Sequence, residues 1–151
     1  MLQEISMKAF SDQNSSTYSY TFVEHTADIS LKVRAQSIEE LFIGSARGMM
    51  EYIFGQGALE LSAAKVEQVS IESADQNSLL VDWLSAIHTY SSTNYMVSLA
   101  YHIESLSETA LRAKVGWAAA KAEEDIKAVT YSGVDIGKVK SYYEVCITFD
   151  I

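Results

Sequence analysis

The stretch "TYSYTFVEHTADISLKVRA", Thr17 to Ala35, holds two alternating runs separated by a short polar connection. In the first run Tyr18, Tyr20 and Phe22 share one face. In the second, Ile29, Leu31, Val33 and Ala35 are apolar while Ser30, Lys32 and Arg34 are polar. Successive side chains of a strand point to opposite faces, so a period of two marks half-buried strands. The two runs therefore predict an antiparallel pair joined through "EHTADI", Glu24 to Ile29. That connection carries a histidine, a threonine and an aspartate, but neither the glycine nor the asparagine that tight hairpins favour.

Downstream, "SIEELFIGSARGMMEYIFG" opens with Ser37 and Glu40 three apart, a capping box that satisfies exposed backbone donors. Apolar residues at 38, 41, 42, 46, 49, 50 and 53, with Ser45 among them, hold one helical stripe, and Gly55 reads as a left-handed stop. "AKVEQVSIES" reads as a strand. "NSLLVDWLSAIHTY" reads as a second helix, with Asn77 or Ser78 as its cap and Leu79, Leu80, Trp83, Leu84 and Ile87 on its buried face. "MVSLAYHIE" and "ALRAKVGW" alternate and predict a hairpin across Ser105 to Thr109. "AAAKAEEDIKAVTY" mixes helix-forming residues with a strand-like end, and its early part leans helical by propensity.

The sequence closes on "YYEVCITFDI", in which Tyr143, Val145, Ile147, Phe149 and Ile151 alternate with Tyr142, Glu144, Cys146, Thr148 and Asp150. A strand runs to the last residue. The sum is an α+β class, an antiparallel or mixed sheet with two main helices packed on it. Residues 1–16 are polar and unpatterned and are expected to form a flexible arm. Residues 17–151 are expected to form a single domain, the size of one core.

Composition narrows the function classes. Of 151 residues, 48% are hydrophobic and 21% charged, and no run of about 18 apolar residues exists that would span a bilayer. The N-terminal residues have no apolar core or cleavage site of a secretory signal, and the lone Cys146 has no internal disulfide partner, so a cytoplasmic location is expected. Net charge is −9, from 20 acidic and 11 basic residues. A protein that grips nucleic acid neutralises phosphates with Lys and Arg, so direct RNA or DNA binding is disfavoured. An acidic surface fits a cation or a basic protein face better, unless it serves only solubility.

Several residues could carry chemistry. By strand parity Asp28 lies in register with Ser30, Lys32 and Arg34, away from the apolar face. Asp150 lies on the polar face of the last strand, one residue before the final carboxylate. Asp28 alone reads equally as a turn aspartate bonding nearby N–H groups. Beside Asp150 and the chain end it would make three carboxylates in a small space, which repel unless a cation sits between them. All-oxygen ligation suits Ca²⁺ or Mg²⁺, with carbonyls and waters completing the shell. His25 lacks the partners of a zinc site and is expected to fix the loop by hydrogen bonds. His88 and His102 are expected at the surface or partly buried. Cys146 has no glycine elbow beside it and reads as a small packed cysteine. Lys127 is the one basic residue of an otherwise apolar run, either a solvated strand lysine or a fixed positive charge near an acidic site.

Taken in order, "EHTADISLKV", "SIEELFIGSARGMM", "LLVDWL", "IKAVTY" and the closing "VCITFDI" resemble the archease family over about Thr17 to Ile151. The HTAD tetrapeptide and the final Asp-Ile carry the resemblance together. It implies a small acidic α+β protein that assists the GTP-dependent RNA-splicing ligase of tRNA splicing and RNA repair. That ligase joins 3′-phosphate and 5′-hydroxyl ends; the accessory protein promotes its guanylylation and restores turnover without performing ligation itself. The resemblance also implies a metal site at Asp28, Asp150 and Ile151, filled by a divalent cation, Ca²⁺ first and Mg²⁺ or Mn²⁺ as alternatives. Lys127, with His25 beside the site, is expected to act on the ligase. Two departures stand out: many relatives have glycine where this sequence has Ser30, and histidine where it has Ser132. Two other classes stay open, a metal-dependent phosphohydrolase using Asp28, Asp150 and His25, and a chaperone-like binding module without metal dependence.

Overall fold

A computed structural model describes residues 17–151, so the arm expected over 1–16 lies outside the described residues. Strands β1 (Tyr18–Glu24) and β2 (Asp28–Ala35) come first, followed by helix α1 (Ile38–Phe54), a short 3-10 turn (Gln56–Glu60) and β3 (Lys65–Glu72). Helix α2 (Gln76–Asn94) leads into β4 (Met96–Leu106) and β5 (Ala110–Ala119). The chain ends with β6 (Ala128–Val129), β7 (Gly137–Val139) and β8 (Tyr142–Asp150). One sheet has the order β1-β2-β8-β6, with β7 also on β8; the other has the order β3-β5-β4. Every strand pairing among the described residues is antiparallel, which fits the expected α+β class with two main helices and settles the sheet as antiparallel rather than mixed.

Helix α1 packs against β1, β2 and β8 of the first sheet and against β4 of the second. This explains why burial extends beyond its single stripe to Ile43, Gly44 and Gly48. The two glycines let the helix approach the sheet: a Cβ at Gly48 would lie 2.8 Å from a Leu31 methyl, and one at Gly44 would lie 2.9 Å from the Tyr18 ring. Trp83 of α2 donates its indole N–H to the Phe42 carbonyl at 3.0 Å, joining the helices through the core.

The Ser37 hydroxyl caps α1 as expected, accepting from the Glu40 N–H at 3.1 Å. The cap of α2 is Asp75 rather than Asn77 or Ser78; its carboxylate accepts from the Ser78 N–H at 2.8 Å, which holds its pKa below the usual value. Asn77 instead accepts from the Ile136 N–H at 2.8 Å and pins the distal loop to the helix.

Residues 120–127 form no helix, contrary to the propensity of "AAAKAEED". The N–H groups of Glu123 and Glu124 both donate to the Ile53 carbonyl, at 2.7 and 3.0 Å, and buried Ile126 anchors the segment. Helix ends leave carbonyls unsatisfied, so this segment is spent capping α1, and tertiary contacts override a weak preference. Cys146 is exposed rather than packed. It shares the outward face of β8 with Thr148 and Asp150, and it stands opposite Lys32.

Candidate metal centre

The turn between β1 and β2 is closed by the His25 N–H donating to the Asp28 carbonyl at 3.0 Å. Among the described residues only Tyr95, Lys140, Gly55 and Gly133 have positive φ, so His25, Thr26 and Ala27 need no glycine or asparagine. Buried Ile29 then anchors β2 to the core, which turns Asp28 to the opposite, partly solvated face.

β8 pairs with β2 so that Asp28 lies directly opposite Asp150. The Ile151 N–H donates to the Ala27 carbonyl at 3.3 Å, which makes 27 and 151 a hydrogen-bonded pair. The neighbouring 28/150 pair is therefore the non-hydrogen-bonded kind, whose Cα atoms lie about 4.5 Å apart with side chains on one face. On its other side β8 is held by β6, where Ala128 faces Asp150 and the Lys127 N–H donates to the Asp150 carbonyl at 2.7 Å. The last residues are thus clamped from two strands, and Ile151 packs against the core.

The next row of the same face is Ser30 opposite Thr148, with their hydroxyls 3.2 Å apart. Thr148 is further tied by the Thr130 hydroxyl, which donates to its carbonyl at 3.2 Å. This hydroxyl row beneath the aspartates was missed in the sequence, although parity contains it: Ser30 is two residues after Asp28, and Thr148 two before Asp150.

Like charges directly opposite in a sheet destabilise it. Among the described residues the ion pairs are Arg34 with Glu144, Lys65 with Glu67, and Lys114 with Glu104, so no basic side chain neutralises Asp28 or Asp150. The same residues include no group of three His, Cys, Asp or Glu side chains placed to hold a metal. The arrangement therefore provides two aspartates on one face, with the main chain of Ile151 held beside them by its bond to Ala27. Two unneutralised carboxylates in a close pair fit a hard divalent cation in donor chemistry.

The model of the Archease protein family (MTH1598/TM1083) matches residues 20–151.

The chain belongs to the archease family.

Protein archease from Methanosarcina barkeri is 28% identical over 141 residues, covering 87% of this chain and 95% of that protein. Protein archease from Methanopyrus kandleri is 26% identical over 127 residues, covering 76% and 86%. Among solved structures, Methanobacterium thermoautotrophicum protein 1598 matches with a TM-score of 0.73 at 24% identity, covering 87% of this chain and 98% of that one. A Thermotoga maritima archease, described as a possible chaperone, matches with a TM-score of 0.59 at 18% identity, covering 85% and 94%. At those identities the structures establish the fold.

In this archease, then, the fold brings Asp28, Asp150, Ile151 and the backbone of Lys127 to one end of the first sheet, with His25 in the adjoining turn. Lys127 is exposed and immediately precedes β6. His25 is exposed as well, and its main-chain N–H is what closes the turn. His88 lies half-buried on α2, and His102 lies on β4 of the other sheet opposite Lys114, so neither joins the carboxylate pair.

Proposed function

We propose that this member of the archease family is a metal-binding accessory protein that activates the GTP-dependent RNA-splicing ligase, promoting ligase guanylylation and repeated turnover. The observation that carries the reading is the register of β2 and β8, which sets Asp28 against Asp150 with neither in an ion pair among the described residues. In this reading Asp28, Asp150 and the carboxylate of Ile151 hold the cation, Ca²⁺ before Mg²⁺ or Mn²⁺, because every donor is oxygen. When bound, the ion supplies concentrated positive charge of the kind that stabilises phosphate oxygens.

The protein's own residues do the rest. The His25 N–H and the Lys127 N–H fix the backbones of Asp28 and Asp150, so the carboxylates are placed before any partner arrives. Exposed Lys127, whose main-chain N–H is bonded to the Asp150 carbonyl, is in this reading the residue that meets the ligase. The net charge of −9 is consistent with a division of labour in which the ligase, not this chain, handles RNA.

The test is ligase guanylylation by GTP with and without the protein, for the native sequence and for Asp28→Asn, Asp150→Asn and Lys127→Ala. The aspartate variants are expected to lose activation while keeping the fold. Activation that survives both aspartate changes and chelation of divalent ions points instead to a chaperone-like module. Phosphate release by the isolated protein, lost in Asp28→Asn, points to a phosphohydrolase.

A further inference from the structure

At the C-terminal ends of the two helices lies a cavity of about 410 Å³ that the carboxylate pair does not share. Its inner wall is apolar, formed by buried Ile53 and Phe54 at the end of α1. Three consecutive acids, Glu123, Glu124 and Asp125, all exposed, also line it, with no lysine or arginine among the lining residues. None of the three is in an ion pair among the described residues.

The acids sit where helix electrostatics disfavours them. The C-terminus of a helix carries partial negative charge that cations relieve, yet neither α1 nor α2 has a basic residue in its last turn. Glu123 is held against this end: its N–H bonds to the Ile53 carbonyl, and its carboxylate lies so near Gly55 that a Cβ there would be 2.9 Å from Oε2. His88, half-buried in the same cavity, adds little positive charge near neutral pH, because burial lowers its pKa more than Asp125 raises it.

Tyr95 completes the cavity and is the second anomaly. It ends α2 in the left-handed region, φ 57° and ψ 50°, which bulky residues rarely adopt, and its side chain is part of a residue 78% exposed. A large aromatic ring left in water beside a fixed acidic wall is the composition of a recognition surface. The complement of an apolar floor, a negative wall and a free aromatic face is a guanidinium on an aliphatic stem. It forks onto carboxylates and stacks on rings in a way an ammonium does not.

We propose that this cavity receives an arginine side chain of a protein partner, with the stem against Ile53 and Phe54, the guanidinium on Glu123 to Asp125, and Tyr95 covering it. The exposed ring gives area for residues flanking that arginine, which is why the occupant is a polypeptide rather than a small amine. The site shares no residue with the Asp28 and Asp150 pair, so it stands or falls separately from the metal reading.

The test uses the intact protein labelled with ¹⁵N and a blocked hexapeptide with one central arginine, compared with the same peptide carrying uncharged citrulline and with arginine amide. Saturable shifts confined to the amides of His88, Tyr95 and residues 120–125 are expected with the arginine peptide and not with citrulline. The combined Glu123→Gln, Glu124→Gln, Asp125→Asn variant should bind about threefold to tenfold more weakly. Tyr95→Gly, which suits a left-handed backbone, should weaken binding without loss of fold. Shifts that spread over the whole acidic surface, or that are equal for citrulline, would overturn the proposal. Arginine amide binding as tightly as the peptide would also overturn it, because the occupant would then be a small cation.

Discussion

Asp28 on β2 and Asp150 on β8 stand directly opposite each other, in a close pair flanked by the bond from the Ile151 N–H to the Ala27 carbonyl. Apart from a cation, this arrangement works against the sheet that holds it. Asp28→Asn or Asp150→Asn should therefore leave the metal-free protein as stable as before or raise its stability, by up to about 1 kcal/mol. Chemical denaturation in the presence of a chelator checks this. A clear loss of stability in both variants would mean that the carboxylates are structural.

The converse holds when Ca²⁺ is added. A ligand that binds only the folded state at about a hundredfold excess over Kd contributes about 2.7 kcal/mol, or a rise of about 5–10 °C in Tm for a chain of this size. The native sequence should show such a rise in thermal unfolding, and Asp28→Asn should not.

Gly48→Ala should destabilise the fold, although alanine is the better helix former by about 1 kcal/mol. The added methyl would meet Leu31, which is fully buried between β2 and α1 and has no free direction to move. Overpacking of this kind typically costs about 1–3 kcal/mol, so a net loss is expected in urea unfolding.

Tyr95→Gly should have the opposite sign. The residue is left-handed and its ring is mostly in water, so glycine removes strain while giving up little buried area. The expected gain is about 0.5–1 kcal/mol.

His88 sets a direction for pH. Burial lowers its folded pKa below the usual 6.5, with Asp125 opposing, so the unfolded chain takes up the proton first. The stability it supports is present above the unfolded value and is lost as pH falls from there toward the folded pKa. His88→Gln should flatten the fall in Tm between about pH 7 and 5 relative to the native sequence.

Much of this was legible in the sequence because it rests on parity. Alternation in "ISLKVRA" and "YYEVCITFDI" predicted both the strands and the faces on which Asp28 and Asp150 lie. The pairing of those strands across more than a hundred intervening residues is not a local property, and only the assembled sheet sets 28 against 150. The expectation failed where local preference competed with a distant contact. "AAAKAEED" favours helix, but its N–H groups are taken by the Ile53 carbonyl. Gly44 and Gly48 gave no periodic signal, since their role depends on Tyr18 and Leu31 facing them. Cys146 needed only the parity argument applied to β8: it alternates with buried Val145 and Ile147 and so faces solvent.

The most direct test of the central claim is to append one residue after Ile151 and measure Ca²⁺ binding by calorimetry alongside ligase guanylylation. In the proposed site Ile151 contributes a carboxylate, which the added residue would move away while leaving the β2–β8 register in place. Weakened Ca²⁺ binding together with lost activation, in a protein whose amide spectrum is otherwise unchanged, is the predicted result. Native Ca²⁺ affinity and native activation in the extended protein would contradict the account.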